Sequence, residues 1–107
     1  METSKIDPFK ALADPRRRKI IQLLLVSSAL SLHAINENFD MSRQALTRHI
    51  NTLQDSGILK TQIKGRETIF YLDLEPLKEV YDVVNHYRSF WEDNLEKLDH
   101  LINNSKS

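Results

Sequence analysis

A chain of 107 residues, 40% of them hydrophobic, has the length of one domain and enough apolar material for a modest core, which argues against disorder. It has no cysteine, which excludes disulfides and thiolate metal sites, and METSKIDPFK lacks the apolar run of a signal peptide. No stretch approaches the roughly 20 apolar residues of a membrane helix, so a soluble cytoplasmic protein with no membrane role is expected.

Net charge is zero but unevenly spread: 11 Lys and Arg stand against 7 Asp and Glu through Tyr71, then 4 against 8 from Leu72 onward. The first two thirds can therefore face a polyanion. With two glycines, three prolines and apolar residues mostly three or four apart, the chain reads as mainly helical. A short helix is expected from about Asp7 to Ala13, with Pro8 at an early position. ADPRRRKIIQLLLVSS then restarts: Asp14 can cap, Pro15 takes the first helical position, and Ile20, Ile21, Leu23, Leu24 and Leu25 supply a wide apolar face. Arg16, Arg17, Arg18 and Lys19 crowd the first turn, where the helix dipole disfavours cations. That placement points to an outside partner or an acidic neighbour, with an ordinary solvated face as the competing reading.

Ser31 can cap a third helix, LHAINENF, turning Leu32, Ile35 and Phe39 to the core. After a tight turn Ser42 caps MSRQALTRHINTLQDSG, which ends at Ser56 with Gly57 in the left-handed position. Two helices so closely joined form a helix-turn-helix pattern over 31–56. ILKTQI and ETIFYL, rich in β-branched and aromatic residues and separated by KGR, read as a hairpin over 58–72 that bends at Gly65. Helical spacing then returns through Leu77, Val80, Tyr81, Val84, Tyr87, Trp91, Leu95, Leu98, Leu101 and Ile102. One helix from Glu75 to Asn103 would be about 43 Å long, more than so small a domain can cover, so its far half is expected to pack on a second copy.

At 100° per residue, the 41–57 segment places Leu46, Ile50 and Leu53 on one side, flanked by Ala45 and His49, and Arg43, Gln44, Thr47, Arg48 and Asn51 on the other. Arginine can pair with guanine and glutamine with adenine, threonine can meet a thymine methyl or a phosphate, and Ser42 at the helix start can bind phosphate. An ordinary solvated face is the plainer reading. Three features weigh against it: the short helix just before, the basic hairpin just after, and the scarcity of acids, since Asp55 comes only at the far end. Lys64-Gly65-Arg66 sets two cations at the hairpin tip, within reach of the DNA backbone or minor groove. His49 lies beside the apolar side, which suits packing or a phosphate contact better than base reading.

Together these segments resemble the ArsR-type winged helix-turn-helix family of bacterial transcriptional regulators. FKALADPRRRKIIQLLL is similar to its opening signature, MSRQALTRHINTLQDSGIL to its recognition helix, KGRETIFYL to its wing, and RSFWEDNLEKLDHLI to the last helix of a metal-free subgroup. The resemblance implies a mainly α fold with a small β-hairpin: a DNA-binding domain over 1–95 continuous with a dimerisation helix over 74–104. It further implies a homodimer, joined through its first and last helices, that represses by occupying a pseudo-palindromic operator in double-stranded DNA. Ser42, Arg43, Gln44, Thr47 and Arg48 would meet the major groove, Lys64 and Arg66 would make wing contacts, and Phe9, Leu77, Tyr81, Val84, Tyr87, Trp91, Leu95 and Leu98 would join the copies.

The family's metal-sensing cysteines are missing from SLHAINENF, which offers only His33. Asp82 with His86, and Glu96 with His100, have ligand-like i, i+4 spacing, but the gap between the pairs departs from the family's second metal site. No cofactor is expected, and an effector is left open. Without a glycine-rich phosphate loop, a cysteine nucleophile or a convergence of His with Asp or Ser, an enzyme is not expected either. The competing function is a protein-interaction module that works through the long C-terminal helix. Tyr81, Tyr87, Phe90 and Trp91, four of the eight aromatic residues, could line a ligand pocket, but they lie largely on the leucine stripe and suit a dimer core better.

Overall fold

The computed structural model describes residues 6 to 105, in two compact units that meet between Leu77 and Lys78. The first unit opens with two aspartate-capped helices. In α1 (Pro8–Ala11) the Asp7 carboxylate accepts from the Phe9 N–H; in α2 (Pro15–Ser27) Asp14 accepts from the Arg16 N–H at 2.7 Å. Each helix places proline first, where a missing N–H costs nothing. Ser28 ends α2 with φ 73° and ψ −55°, a backbone conformation that side-chain-bearing residues rarely hold.

The chain then forms β1 (Ala29–Ser31), and Ser31 Oγ caps α3 (Leu32–Asn36) by accepting from the Ala34 N–H at 3.2 Å. A turn leads to α4 (Arg43–Asp55), which the buried Ser56 closes by donating to the Leu53 carbonyl at 2.7 Å. Gly57 follows at φ 84°, and a Cβ there would stand 3.3 Å from the Pro76 ring. The hairpin of β2 (Leu59–Lys64) and β3 (Glu67–Leu72) turns through Gly65 and Arg66, with Lys64 opposite Glu67. Gly65, at φ 63°, is the first central residue, the place that a two-residue type II′ turn gives to glycine.

The core draws on every helix of this unit and on both hairpin strands: Ala11, Ile20, Ile21, Leu24, Ile35, Leu46, Ile50, Leu53, Ile58, Leu59 and Phe70. α4 is anchored by Leu46, Ile50 and Leu53, all buried, and each such side chain is worth about 1.5–3 kcal/mol of transfer free energy. That face fixes which side of α4 is left outside.

The expected architecture holds as a winged helix-turn-helix, with five differences in detail, the first being that α1 ends at Ala11 instead of Ala13 and has Asp7 as its cap. The sheet has three strands, in the order β1-β3-β2, because Ala29, Leu30 and Ser31 pair with Tyr71, Phe70 and Ile69. α3 stops at Asn36, earlier than expected; Phe39 still packs against the core, from the turn that follows. Leu25, expected on the apolar face of α2, is 57% exposed, since the core is already filled by Ile20, Ile21 and Leu24 with Leu23 packed in part. The long C-terminal helix is interrupted at Tyr87, giving α5 (Glu75–His86) and α6 (Arg88–Ser105). Helical bonding still reaches that residue from both sides: the Tyr87 N–H donates to the Val83 carbonyl at 3.2 Å, and the Trp91 N–H to the Tyr87 carbonyl at 2.9 Å.

In the second unit no residue from Lys78 to Asn104 is buried. Its stripe of Tyr81, Val84, Tyr87, Phe90, Trp91, Leu95, Leu98 and Leu101 is roughly half exposed or more at each position. Edge-on ring contacts, His86 with Tyr87 and Phe90 with Trp91, order the aromatic part of the stripe.

Candidate nucleic-acid interface

With its apolar side fixed to the core, α4 presents its polar side to solvent. Ser42, Arg43, Gln44, Thr47 and Arg48 together line one shallow recess. Ser42 Oγ accepts the Ala45 N–H at 3.0 Å, which leaves its own hydroxyl proton free to donate outward. Thr47 commits its hydroxyl proton to the Arg43 carbonyl at 2.8 Å, so it can offer its methyl group and oxygen lone pairs. Arg43 also borders a second recess with Ser31, His33, Glu67 and Thr68, where the start of α3, the start of α4 and the wing strand β3 come together. Lys64 and Arg66 are exposed at the wing tip and line neither recess.

The basic side chains fall into two groups. Around α2, Arg17 donates to the Ala11 and Lys10 carbonyls at 2.7 and 3.2 Å, and Arg18 to the Leu12 carbonyl at 2.7 Å. Lys19 reaches the Asn38 carbonyl at 3.1 Å and lies over the Phe39 ring, 4.8 Å from its centre. Arg16 pairs with Asp14 at 3.0 Å, and the contact holds the Asp14 carboxyl well below the usual carboxylate range, outweighing the opposite pull of partial burial. Three of the four crowded cations of α2, Arg17, Arg18 and Lys19, thus bond carbonyls at the end of α1 and in the turn after α3, and the fourth, Arg16, takes Asp14 as its acidic partner. By contrast, Arg43, Arg48, Lys64 and Arg66 have no ion pair or side-chain hydrogen bond among the described residues. A solvated cation with no internal partner is the kind that a phosphate or a guanine edge can engage at little structural cost.

His49 sits behind this surface. It is half buried, and its Nδ1 lies 3.3 Å from Arg17 Nη1. Burial is the main cause that pulls its pKa below the ordinary histidine value; Asp14 opposes the shift, while Arg16, Arg17 and Arg48 add to it. The helical angle already placed this ring on the domain side of α4. Its partner, 32 residues away, had no signal in the sequence.

The dimerisation candidates are divided in the structure. Phe9 is partly exposed on α1, and Tyr81, Val84, Tyr87, Trp91, Leu95 and Leu98 are exposed in the second unit. Leu77 instead packs in part against the core of its own domain. Among the described residues, no three His, Asp or Glu side chains gather as a metal site, and no helix is long and apolar enough to cross a membrane.

A helix-turn-helix with a basic outer face, followed by a basic wing, defines a DNA-binding regulator of the winged-helix class. Residues 12–62 match the family described as a helix-turn-helix domain. The chain is 33% identical to the HTH-type transcriptional regulator YuzN of Bacillus subtilis, over 75% of this chain and 94% of that one. It is 31% identical to the transcriptional repressor SdpR of Bacillus subtilis, over 66% and 78%. A crystal structure described as an ArsR family transcriptional regulator superposes with a TM-score of 0.68 at 31% identity, covering 78% of this chain and 86% of its own. The chain belongs to the ArsR family of winged helix-turn-helix transcriptional regulators.

Proposed function

We propose that the protein works as a homodimeric repressor. Its DNA-binding domain spans 1–95, and the helical segment over 74–104 joins two copies, assisted by Phe9 of α1. Ser42, Arg43, Gln44, Thr47 and Arg48 enter the major groove of each half of a pseudo-palindromic operator, while Lys64 and Arg66 hold the backbone or minor groove beside it. The observation that carries this reading is the contrast between the committed cations of α2 and the partnerless ones of α4 and the wing. Repression also agrees with the name of SdpR, and dimerisation with an apolar stripe too large to leave in water. No metal or cofactor enters this reading, and an effector is left open.

Selection of genomic DNA with the purified protein, followed by binding to the recovered promoter fragment, tests the reading. Arg43→Ala and Gln44→Ala should each relax sequence preference at a defined base pair by about 1–3 kcal/mol of discrimination. A dimer that recovers no preferred sequence would refute it, and increased transcription from the bound promoter would replace repression by activation. A chain ending after Tyr87 should be monomeric and bind its operator weakly. The exposed stripe also supports a second reading, an interaction module for another protein. A complex that survives neutralisation of Arg43, Arg48, Lys64 and Arg66 would favour that alternative.

A further inference from the structure

Arg17 ties three helices together. Its Nε donates to the Ala11 carbonyl and Nη2 to the Lys10 carbonyl, both at the end of α1, while Nη1 faces His49 Nδ1 on α4. A guanidinium has no lone pair, so the last contact is a hydrogen bond only when Nδ1 accepts. The ring must then be neutral, with its proton on Nε2. Protonation would set N–H against N–H and add a charge beside the guanidinium. The charged groups around the ring are Asp14, Arg16 and Arg17 from the start of α2 and Arg48 from α4 itself. The only acid among them, Asp14, is already bonded to Arg16 at two points, 3.2 and 3.0 Å. Half burial further disfavours the charged ring, whose pKa lies below the ordinary histidine value.

We propose that Arg17 and His49 are positioning residues that hold α4 at its DNA-reading angle only while the imidazole is neutral, so that operator affinity falls on acidification through the histidine range. The inference rests on α4 being the reading helix. His49 directly follows Arg48 and stands two residues after Thr47, so a shift of the ring away from Arg17 moves the side chains that line the recess. The expected sign is the reverse of the general one, because added positive charge ordinarily strengthens binding to DNA.

The test uses the full chain and its selected promoter fragment, with fluorescence anisotropy read at constant ionic strength from about pH 8 down to about pH 5.5. Wild-type affinity should weaken several-fold over that range. His49→Asn keeps an acceptor near the position of Nδ1 but cannot take up a proton, so it should bind like wild type at high pH and follow a flatter profile. Arg17→Gln should bind more weakly at high pH and also lose the dependence. Affinity that rises on acidification in wild type but not in His49→Asn would mean that the ring meets a phosphate, and would overturn the proposal. In the DNA-free protein, long-range 1H–15N spectra should show the Nε2–H tautomer near neutral pH; a ring protonated on Nδ1 would overturn it independently of any DNA result. Absence of sequence preference at pH 8 would count instead against the regulator reading, with the spectra still deciding the positioning role.

Discussion

Replacing Lys64 and Arg66 together by glutamine removes both cations from the wing tip. Both side chains are exposed and have no side-chain partner among the described residues, so unfolding free energy should stay within about 0.5 kcal/mol of wild type. In a two-fold dimer the change deletes four charges. At about 0.9 counterions released per phosphate contact, the slope of log K against log salt should become shallower by about 4. Between about 50 and 200 mM salt the affinity advantage of wild type over the variant should then shrink by about a hundredfold. Anisotropy titrations of one promoter fragment across a salt series measure this directly. Parallel lines for the two proteins would refute the placement of the wing on the DNA backbone. Arg18→Gln is the matched control: it loses a bond to the Leu12 carbonyl, should cost about 0.5–1.5 kcal/mol of stability, and should leave the slope unchanged.

Gly57→Ala should cost about 1–3 kcal/mol in urea unfolding, because φ 84° is strained for alanine and the added Cβ meets the Pro76 ring at 3.3 Å. Ser28→Gly should stabilise by about 1 kcal/mol, relieving a non-glycine residue held at φ 73° and ψ −55°; a loss of stability would show that the serine side chain compensates. The neutral His49 should make stability depend on pH. Its folded pKa lies below the unfolded value near 6.5, so its contribution is present above that value and lost as pH falls through it toward the folded pKa. Unfolding of wild type and His49→Asn at several pH values should diverge in this window. Asp14, whose carboxyl is held low by Arg16, should lose its contribution only in more acidic solution.

Local devices were the legible part of the fold. Asp14, Ser31 and Ser42 each bond an N–H two or three residues ahead, so the cap and its helix lie within one short window of sequence; Asp7, read as the start of a helix reaching Ala13, instead caps one that ends at Ala11. Gly57 and Gly65 were equally readable, because a positive φ narrows the choice of residue to very few. The polar face of α4 followed from helical angle alone: of the five side chains it set outward, Arg43, Gln44, Thr47 and Arg48 share one recess with the cap Ser42, while Asn51 is exposed and does not line it. Features that depend on distant partners left no such trace. β1 has three residues and no period of its own; it is a strand only because β3, some forty residues later, pairs with it. In the basic run of α2 the expected acidic neighbour was found only for Arg16, in Asp14; the partners of Arg17, Arg18 and Lys19 are carbonyls that belong to other elements, which the sequence did not announce. The interruption at Tyr87 has no proline or glycine to announce it.

Among the described residues the strand order leaves β2 at an open side of the sheet, with one row of its backbone N–H and C=O groups unpaired by any described strand. Such an edge can recruit a strand from another chain, and Ile63, 75% exposed on it, adds an apolar invitation. Lys60 and Lys64 stand along the same strand, both exposed. Two lysines on a six-residue edge repel an identical edge approaching from another molecule, the usual guard against edge-to-edge aggregation. Under the proposed function Lys64 would serve both a wing contact to DNA and this guard, and replacing it would then also lower the barrier to self-association through the wing.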